Sequence, residues 1–343
     1  MRGWKTIAFL AAALTAAAVG VFGGVFPTGP DQTVPFKQIL GASQPSTSPA
    51  RLPGLAIELA FSRDAKQVIA RQEDGKIVAW ERESGTGRLL AHTTGAFAYC
   101  PAGNRLVISN ADATVSLSLN DGSFEPIAQG AHDHAAFSAD CEALALAIAE
   151  KPEVHLISTQ NKTTRLITAQ PVRHGLSLSL DGHHLAVAGG RYSEIAGHLT
   201  TIEIFDLEGP GSAGNLIAYG GGVIGPWTMQ SVSSEHGLFL GNEVFGQSGL
   251  RRIDPESGTV IWGHNGFESD WVRGLAMTPN GIYMATGDDD GWLRIWDAET
   301  GILLAEKQAG QVIQNVAISP DGRMIALALW DGTIGIVPFG SLM

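Results

Sequence analysis

Seven times along the 343 residues, a short turn-forming motif follows an apolar, strand-like run. The copies are Ser62-Arg63-Asp64-Ala65, Cys100-Pro101-Ala102-Gly103, Ser138-Ala139-Asp140-Cys141, Ser179-Leu180-Asp181-Gly182, Ser233-Ser234-Glu235-His236-Gly237, Thr278-Pro279-Asn280-Gly281 and Ser319-Pro320-Asp321-Gly322. Their first residues lie 38, 38, 41, 54, 45 and 41 apart. A unit of that length cannot bury a core alone, so neighbouring units must pack together and share one. The residue before each turn is large and apolar: Phe61, Tyr99, Phe137, Leu178, Val232, Met277 and Ile318. The one before that is always small: Ala60, Ala98, Ala136, Ser177, Ser231, Ala276 and Ala317. A large column beside a small one is the two-residue alternation of a strand near a crowded axis, a period no helix produces.

A second apolar strand follows each turn, as in Leu144 to Ala149 and Met324 to Leu329, and a third often follows Asp-Gly, at Asp74-Gly75, Asp290-Gly291 and Asp331-Gly332. Asp-Gly supplies the positive dihedrals of tight hairpins, so each unit reads as a four-stranded antiparallel meander. The 43 glycines, 12.5% of the chain, fit such a turn-rich fold, and 16% charged residues exclude a disordered or coiled-coil chain. The segment Leu275 to Asp297, with its Thr278-Pro279-Asn280-Gly281 turn and its Leu293-Arg294-Ile295-Trp296-Asp297 ending, resembles a WD-repeat blade. The other units resemble degenerate WD or bacterial YVTN-type blades, from about Leu55 to Phe339. The resemblance implies an all-β, seven-bladed β-propeller. It departs from the family pattern at the Gly-His dipeptide, matched only by Gly263-His264.

Ahead of the repeats, Arg2 and Lys5 precede an uncharged stretch from Thr6 to Phe26. Residues 1–26 are expected to be a hydrophobic helix, either an uncleaved signal anchor or a signal peptide cut after Ala18. Either places the remainder on the periplasmic side of an inner membrane, anchored to it or free in the periplasm. Residues 27–35 read as a linker and 36–343 as the propeller. The last unit ends after three strands, and the island Phe36 to Leu40 is expected to close it.

In a propeller with these turns on its bottom face, the residues five before each turn line the top mouth of the channel: Ile57, Gly95, Asp133, His174, Thr228, Arg273 and Gln314. Trp227, Trp271 and His132 flank them. An insertion in the fourth unit, Gly189 to Leu199, brings Arg191, Tyr192, Glu194 and His198 to the same face. Both a partner-binding surface and a solvated rim fit this set. His174, Glu194 and His198 form a weak candidate metal set, and Asp288-Asp289-Asp290 reads either as a calcium set or as a hairpin turn. Cys100 and Cys141 occupy bottom turns of adjacent units and are either bridged or two thiols. Nucleophile-elbow, zinc-protease and phosphate-loop motifs are absent from the sequence, and no cofactor is expected.

Residues 45 to 343 carry 19 basic and 33 acidic side chains, so 19 − 33 leaves a net charge of −14 on the propeller itself. That excludes a surface built for nucleic-acid phosphates. The reading that follows is a non-catalytic scaffold docking other envelope or inner-membrane proteins. The alternative is a propeller enzyme or redox subunit using the cluster around His174.

Overall fold

The computed structural model describes residues 54–343 apart from 180, 194–196, 209–213, 220–227, 234–236, 242–248 and 266–271. Seven antiparallel sheets follow one another along the chain, and six of them have four strands in sequence order. Sheet 1 opens on Ala56–Phe61, sheet 2 on Phe97–Cys100, sheet 3 on His134–Phe137 and sheet 4 on Val172–Leu178. Sheet 5 opens on Thr228–Ser233 and sheet 6 on Val272–Met277. The last sheet comprises Ile313–Ile318, Met324–Leu329 and Ile334–Pro338. From sheet 2 onward the opening strands of successive sheets touch, Ile313–Ile318 touches Ala56–Phe61, and sheets 1 and 2 share an apolar cluster around Ile69 and Leu106, so the sheets close into a propeller ring.

Where seven four-stranded blades were expected, six are found among the described residues, beside one sheet of three strands. Among the described residues no fourth strand pairs with Ile334–Pro338, and residues 36–40 lie outside them. The expected hydrophobic helix of residues 1–26 also lies outside the described residues. The only helical element described is a short 3-10 turn, Phe339–Ser341.

The turn motif works by local hydrogen bonding. Ser62 Oγ donates to Asp64 Oδ1 at 2.8 Å and accepts from the Gln67 N–H at 2.9 Å. Ser138 does the same with Asp140 and Ala143, Thr278 with Asn280 and Tyr283, and Ser319 with Asp321 and Met324. The fourth motif residue then enters the left-handed region, with φ of 55° at Ala65, 65° at Cys141 and 71° at Gly322. The side chain thus makes the turn's hydrogen bonds that the reversing backbone leaves open.

Burial grades outward. Second strands such as Ala143–Ala147 and Met324–Leu329 are buried almost throughout, because neighbouring sheets cover both faces. That is why they read as continuous apolar runs. Fourth strands such as Gly87–His92 and Phe124–Gln129 are largely exposed. Sheets approach closely where side chains vanish: a Cβ on Gly274 would lie 2.6 Å from the Val316 backbone nitrogen of the next sheet.

The insertion expected as a loop at Gly189 to Leu199 is an extension of a hairpin. His184–Ser193 and Gly197–Asp206 pair through ten successive residues, Arg191 opposite Leu199 and Tyr192 opposite His198. Unbroken ladder pairing satisfies the backbone groups that a loop of that length would have to leave to water.

Candidate functional site

In a meander, turns between second and third strands share a face with the connections between sheets. The turn motif sits on the opposite face. The first of these faces, the top, holds the expected mouth residues, and the structure joins two of them. Arg273, on the opening strand of sheet 6, reaches Gln314 Oε1 on the next opening strand at 3.3 Å. Its guanidinium also forks onto Asp289, with Nε on Oδ1 and Nη2 3.4 Å from Oδ2. The same guanidinium carbon lies 5.9 Å from the ring centre of Trp330.

Trp330 is 56% exposed, at the turn between Met324–Leu329 and Ile334–Pro338. Its N–H donates to Val312 O at 3.1 Å, and the Asp331 N–H donates to Gln311 Oε1 at 3.2 Å. An indole held out on a pinned turn, with an arginine stacked beneath it, is an arrangement enriched at the centres of protein interfaces. Trp330 and Asp289 were not among the residues expected here. A tryptophan directly before the Asp331-Gly332 hairpin pair was the available signal, because a large apolar residue at a turn has no core to enter.

The remaining expected residues lie along other sheets or outside the described residues. Asp133 is exposed, and its Oδ2 accepts from the Ala149 N–H at 2.7 Å. His174 and Thr228 lie on the opening strands of sheets 4 and 5. Arg191 and Tyr192 lie on the extended hairpin, with His198 opposite Tyr192. Trp227, Trp271 and Glu194 fall outside the described residues. Among the described residues no group of three metal-ligating side chains comes together.

The acidic run at 288–290 divides its work. Asp288 is buried, accepts from the Trp292 N–H at 2.8 Å and pairs with Arg294, whose guanidinium also lies 3.3 Å from Glu306 and 5.6 Å from the Trp292 ring centre. Burial raises the Asp288 carboxyl above its ordinary value, while the Trp292 N–H and Arg294 pull the other way. Asp289 turns to Arg273, and the Asp290 carbonyl accepts from Gln308. The Asp288 and Asp289 carboxylates are thus each taken by a different arginine.

Along the channel wall lies a cavity of about 400 Å³, lined by Phe61, Phe97, Leu275 and Met277 with Glu58, Tyr99 and Asn315 as polar groups. Glu58 pairs with Arg71 at 2.6 Å, and Asn315 Oδ1 accepts from the Leu59 N–H across the ring's closure. The Tyr99 hydroxyl donates to Asn104 Oδ1 and accepts from the Arg63 N–H, and burial pushes its pKa up to about 12. These polar groups are engaged in holding sheets together.

Residues 256–297 match the family described as WD domain, G-beta repeat. The chain is 35% identical over 72 residues to Ribosome biogenesis protein BOP1 of Rattus norvegicus, covering 20% of this chain and 10% of that protein. It is 37% identical over 93 residues to Ribosome biogenesis protein erb1 of Aspergillus niger, covering 26% and 11%. The chain thus spans about a tenth of the length of these curated relatives. Among solved structures, it resembles a chain of Kuenenia stuttgartiensis hydrazine synthase, with a TM-score of 0.62 and 15% identity over 87% of this chain and 99% of that one. A chain of a mitotic checkpoint complex gives 0.65 and 17%, over 90% and 99%. At such identities the two structures establish the propeller fold alone.

These findings correct the expected location. The curated relatives are proteins of rat and fungi named for ribosome biogenesis, not bacterial envelope proteins, and among the described residues no helix is long and apolar enough to cross a membrane. A periplasmic or inner-membrane setting, envelope partners and a YVTN-type assignment therefore have no support here. What stands is a WD-repeat segment within a β-propeller.

Proposed function

We propose that the chain is a non-catalytic interaction propeller that docks a protein partner on its top face, around the turn that carries Trp330. The exposed indole over Arg273, with Asp289 and Gln314 fixing the guanidinium, is the observation that carries this reading. The ion pair and the amide hold the arginine in place before any partner arrives, which lowers the ordering cost of binding. The described top-face turns also expose Glu73, Asp74, Asp112, Asp133, Asp290 and Asp331. A partner surface that is basic or neutral suits this face.

Crosslinking mass spectrometry of the full chain in its own cells tests the proposal. Crosslinks should concentrate around the Trp330 turn, and Trp330→Ala should cut their yield about tenfold or more with an unchanged circular dichroism spectrum. Crosslinks confined to the bottom face, or unaffected by the substitution, would refute it.

We further infer that the three-stranded sheet is a seventh blade, completed by residues 36–40. Ile334 is 1% exposed and Val337 0%. That matches covered third strands such as Lys76–Glu81, not outermost strands such as Phe124–Gln129. A bare edge strand would be wet and open to pairing with other chains.

A further inference from the structure

The seam between sheets 2 and 3 is among those with few buried apolar side chains. Its apolar core has four buried side chains, Val107, Leu144, Leu146 and Ile157. The seams between sheets 1 and 2 and between sheets 5 and 6 have five each, and the two flanking the three-stranded sheet have twelve. Besides an exposed ion pair at the outer rim, Lys162 to Glu125 at 2.9 Å, two buried devices hold this seam, one at each face. At the bottom, Cys100 at the end of Phe97–Cys100 is joined by a disulfide to Cys141 in the first turn of sheet 3, with Cα atoms 5.7 Å apart. Both cysteines are buried, and Cys141 takes the left-handed position that glycine fills in Gly182, Gly281 and Gly322.

At the top, His132 is 1% exposed and bound to sheet 2. Its Nδ1 shares a 2.7 Å hydrogen bond with Thr114 Oγ1, its N–H donates to Ser109 Oγ at 2.7 Å, and its carbonyl accepts from the Ala96 N–H. The ring meets His155 of sheet 3 edge-on, with centres 5.5 Å apart. Its Nε2 is buried without a hydrogen-bond partner.

The groups facing this ring are the Thr114 hydroxyl from sheet 2, the Gly130 carbonyl just before it in the chain and the imidazole of His155 from sheet 3. Asp133 and His134 follow it in the chain, and the Asp133 carboxylate is occupied by the Ala149 N–H. A proton on His132 would create a buried cation facing a second imidazole, with no carboxylate contacting it. Burial first and then His155 lower its proton affinity, and they outweigh the Gly130 carbonyl and the Asp133 charge, which raise it.

We propose that the seam between sheets 2 and 3 is a double-locked joint, closed by the Cys100–Cys141 disulfide at one face and by the neutral His132 imidazole at the other. It parts when the first is reduced and the second is protonated. Because the disulfide is buried, the reductant reaches it only when the seam breathes, so charging His132 exposes the bond. With a phosphine as reductant, the S–S bond breaks and phosphorus is oxidised to the phosphine oxide, taking oxygen from water. The two protons of that water end on the sulfurs of Cys100 and Cys141.

The oxidised full chain is treated with a water-soluble phosphine at about pH 7.5 and about pH 5.5, on either side of the ordinary histidine pKa. Reduction is followed by intact mass, and each rate is divided by that of a small-molecule disulfide in the same buffer. The ratio should rise about tenfold at the lower pH, and His132→Gln should abolish the rise. A ratio equal at both pH values, no reduction at either, or a rise that survives in H132Q overturns the proposal. Wild-type protein alone supplies a second readout by NMR titration of the histidine Cε1–H signals. One ring should titrate at a low midpoint in the oxidised form and move toward the ordinary value on reduction. Identical midpoints in the two forms also overturn the proposal.

Discussion

At the scale of single residues, the repeated turn shows how much a hydroxyl and a carboxylate two positions apart accomplish. Ser319 and Asp321 satisfy the backbone of their turn, leaving Gly322 to carry a φ of 71°. A Cβ there would meet only Pro279 Cδ at 3.7 Å, so Gly322→Ala tests the dihedral without a clash. It should cost about 1–2 kcal/mol, read as a lower Tm by calorimetry. Ala65 holds a φ of 55° in the equivalent position of sheet 1. Ala65→Gly should therefore be neutral or stabilising, by at most about 1 kcal/mol, although glycine at most other sites destabilises. These turns were legible in the sequence because their chemistry is complete within six residues. Trp330 was not, since exposure depends on what the rest of the ring leaves uncovered.

At the scale of elements, strand order was readable from Asp-Gly pairs and alternation, but the length of a strand was not. The stretch from Gly189 to Leu199 has the composition of a loop, yet Gly189 to Ser193 pairs with Gly197 to Thr201, because each added pair satisfies backbone groups and closes no new loop. The edge of Ile334–Pro338 poses the complementary problem, a strand buried like an inner one with no described neighbour beyond it. If residues 36–40 cover that edge, a truncated chain beginning at Leu55 should melt at a clearly lower temperature and associate in gel filtration. A truncated chain that is monomeric and melts like the full chain would show that the edge needs no such strand.

At the scale of the whole molecule, the ring distributes its apolar burial unevenly over its seams, and one of the poorer seams contains two histidines that folding withdraws from water. Burial lowers the proton affinity of both His132 and His134 below the ordinary value of 6.5. A depressed folded-state value means the unfolded chain binds the proton more tightly. The folded state therefore holds its full advantage above pH 6.5 and loses it as pH falls through 6.5 toward the depressed values. Thermal melts should show stability roughly flat at neutral pH and falling on acidification, with a shallower fall in His132→Gln. An equally steep fall in that variant would place the sensitive groups elsewhere. The repeat, the meander within each unit and the acidity of the ring follow from interactions spanning a few residues, and all three are written in the chain order. Which side chains meet across a seam is another matter. The meetings of Cys100 with Cys141, His132 with His155, and Arg273 with Gln314 and Trp330 depend on the rotation between consecutive sheets. That rotation is set by the summed packing of large and small columns around a closed ring, a long-range quantity that no local stretch of sequence encodes.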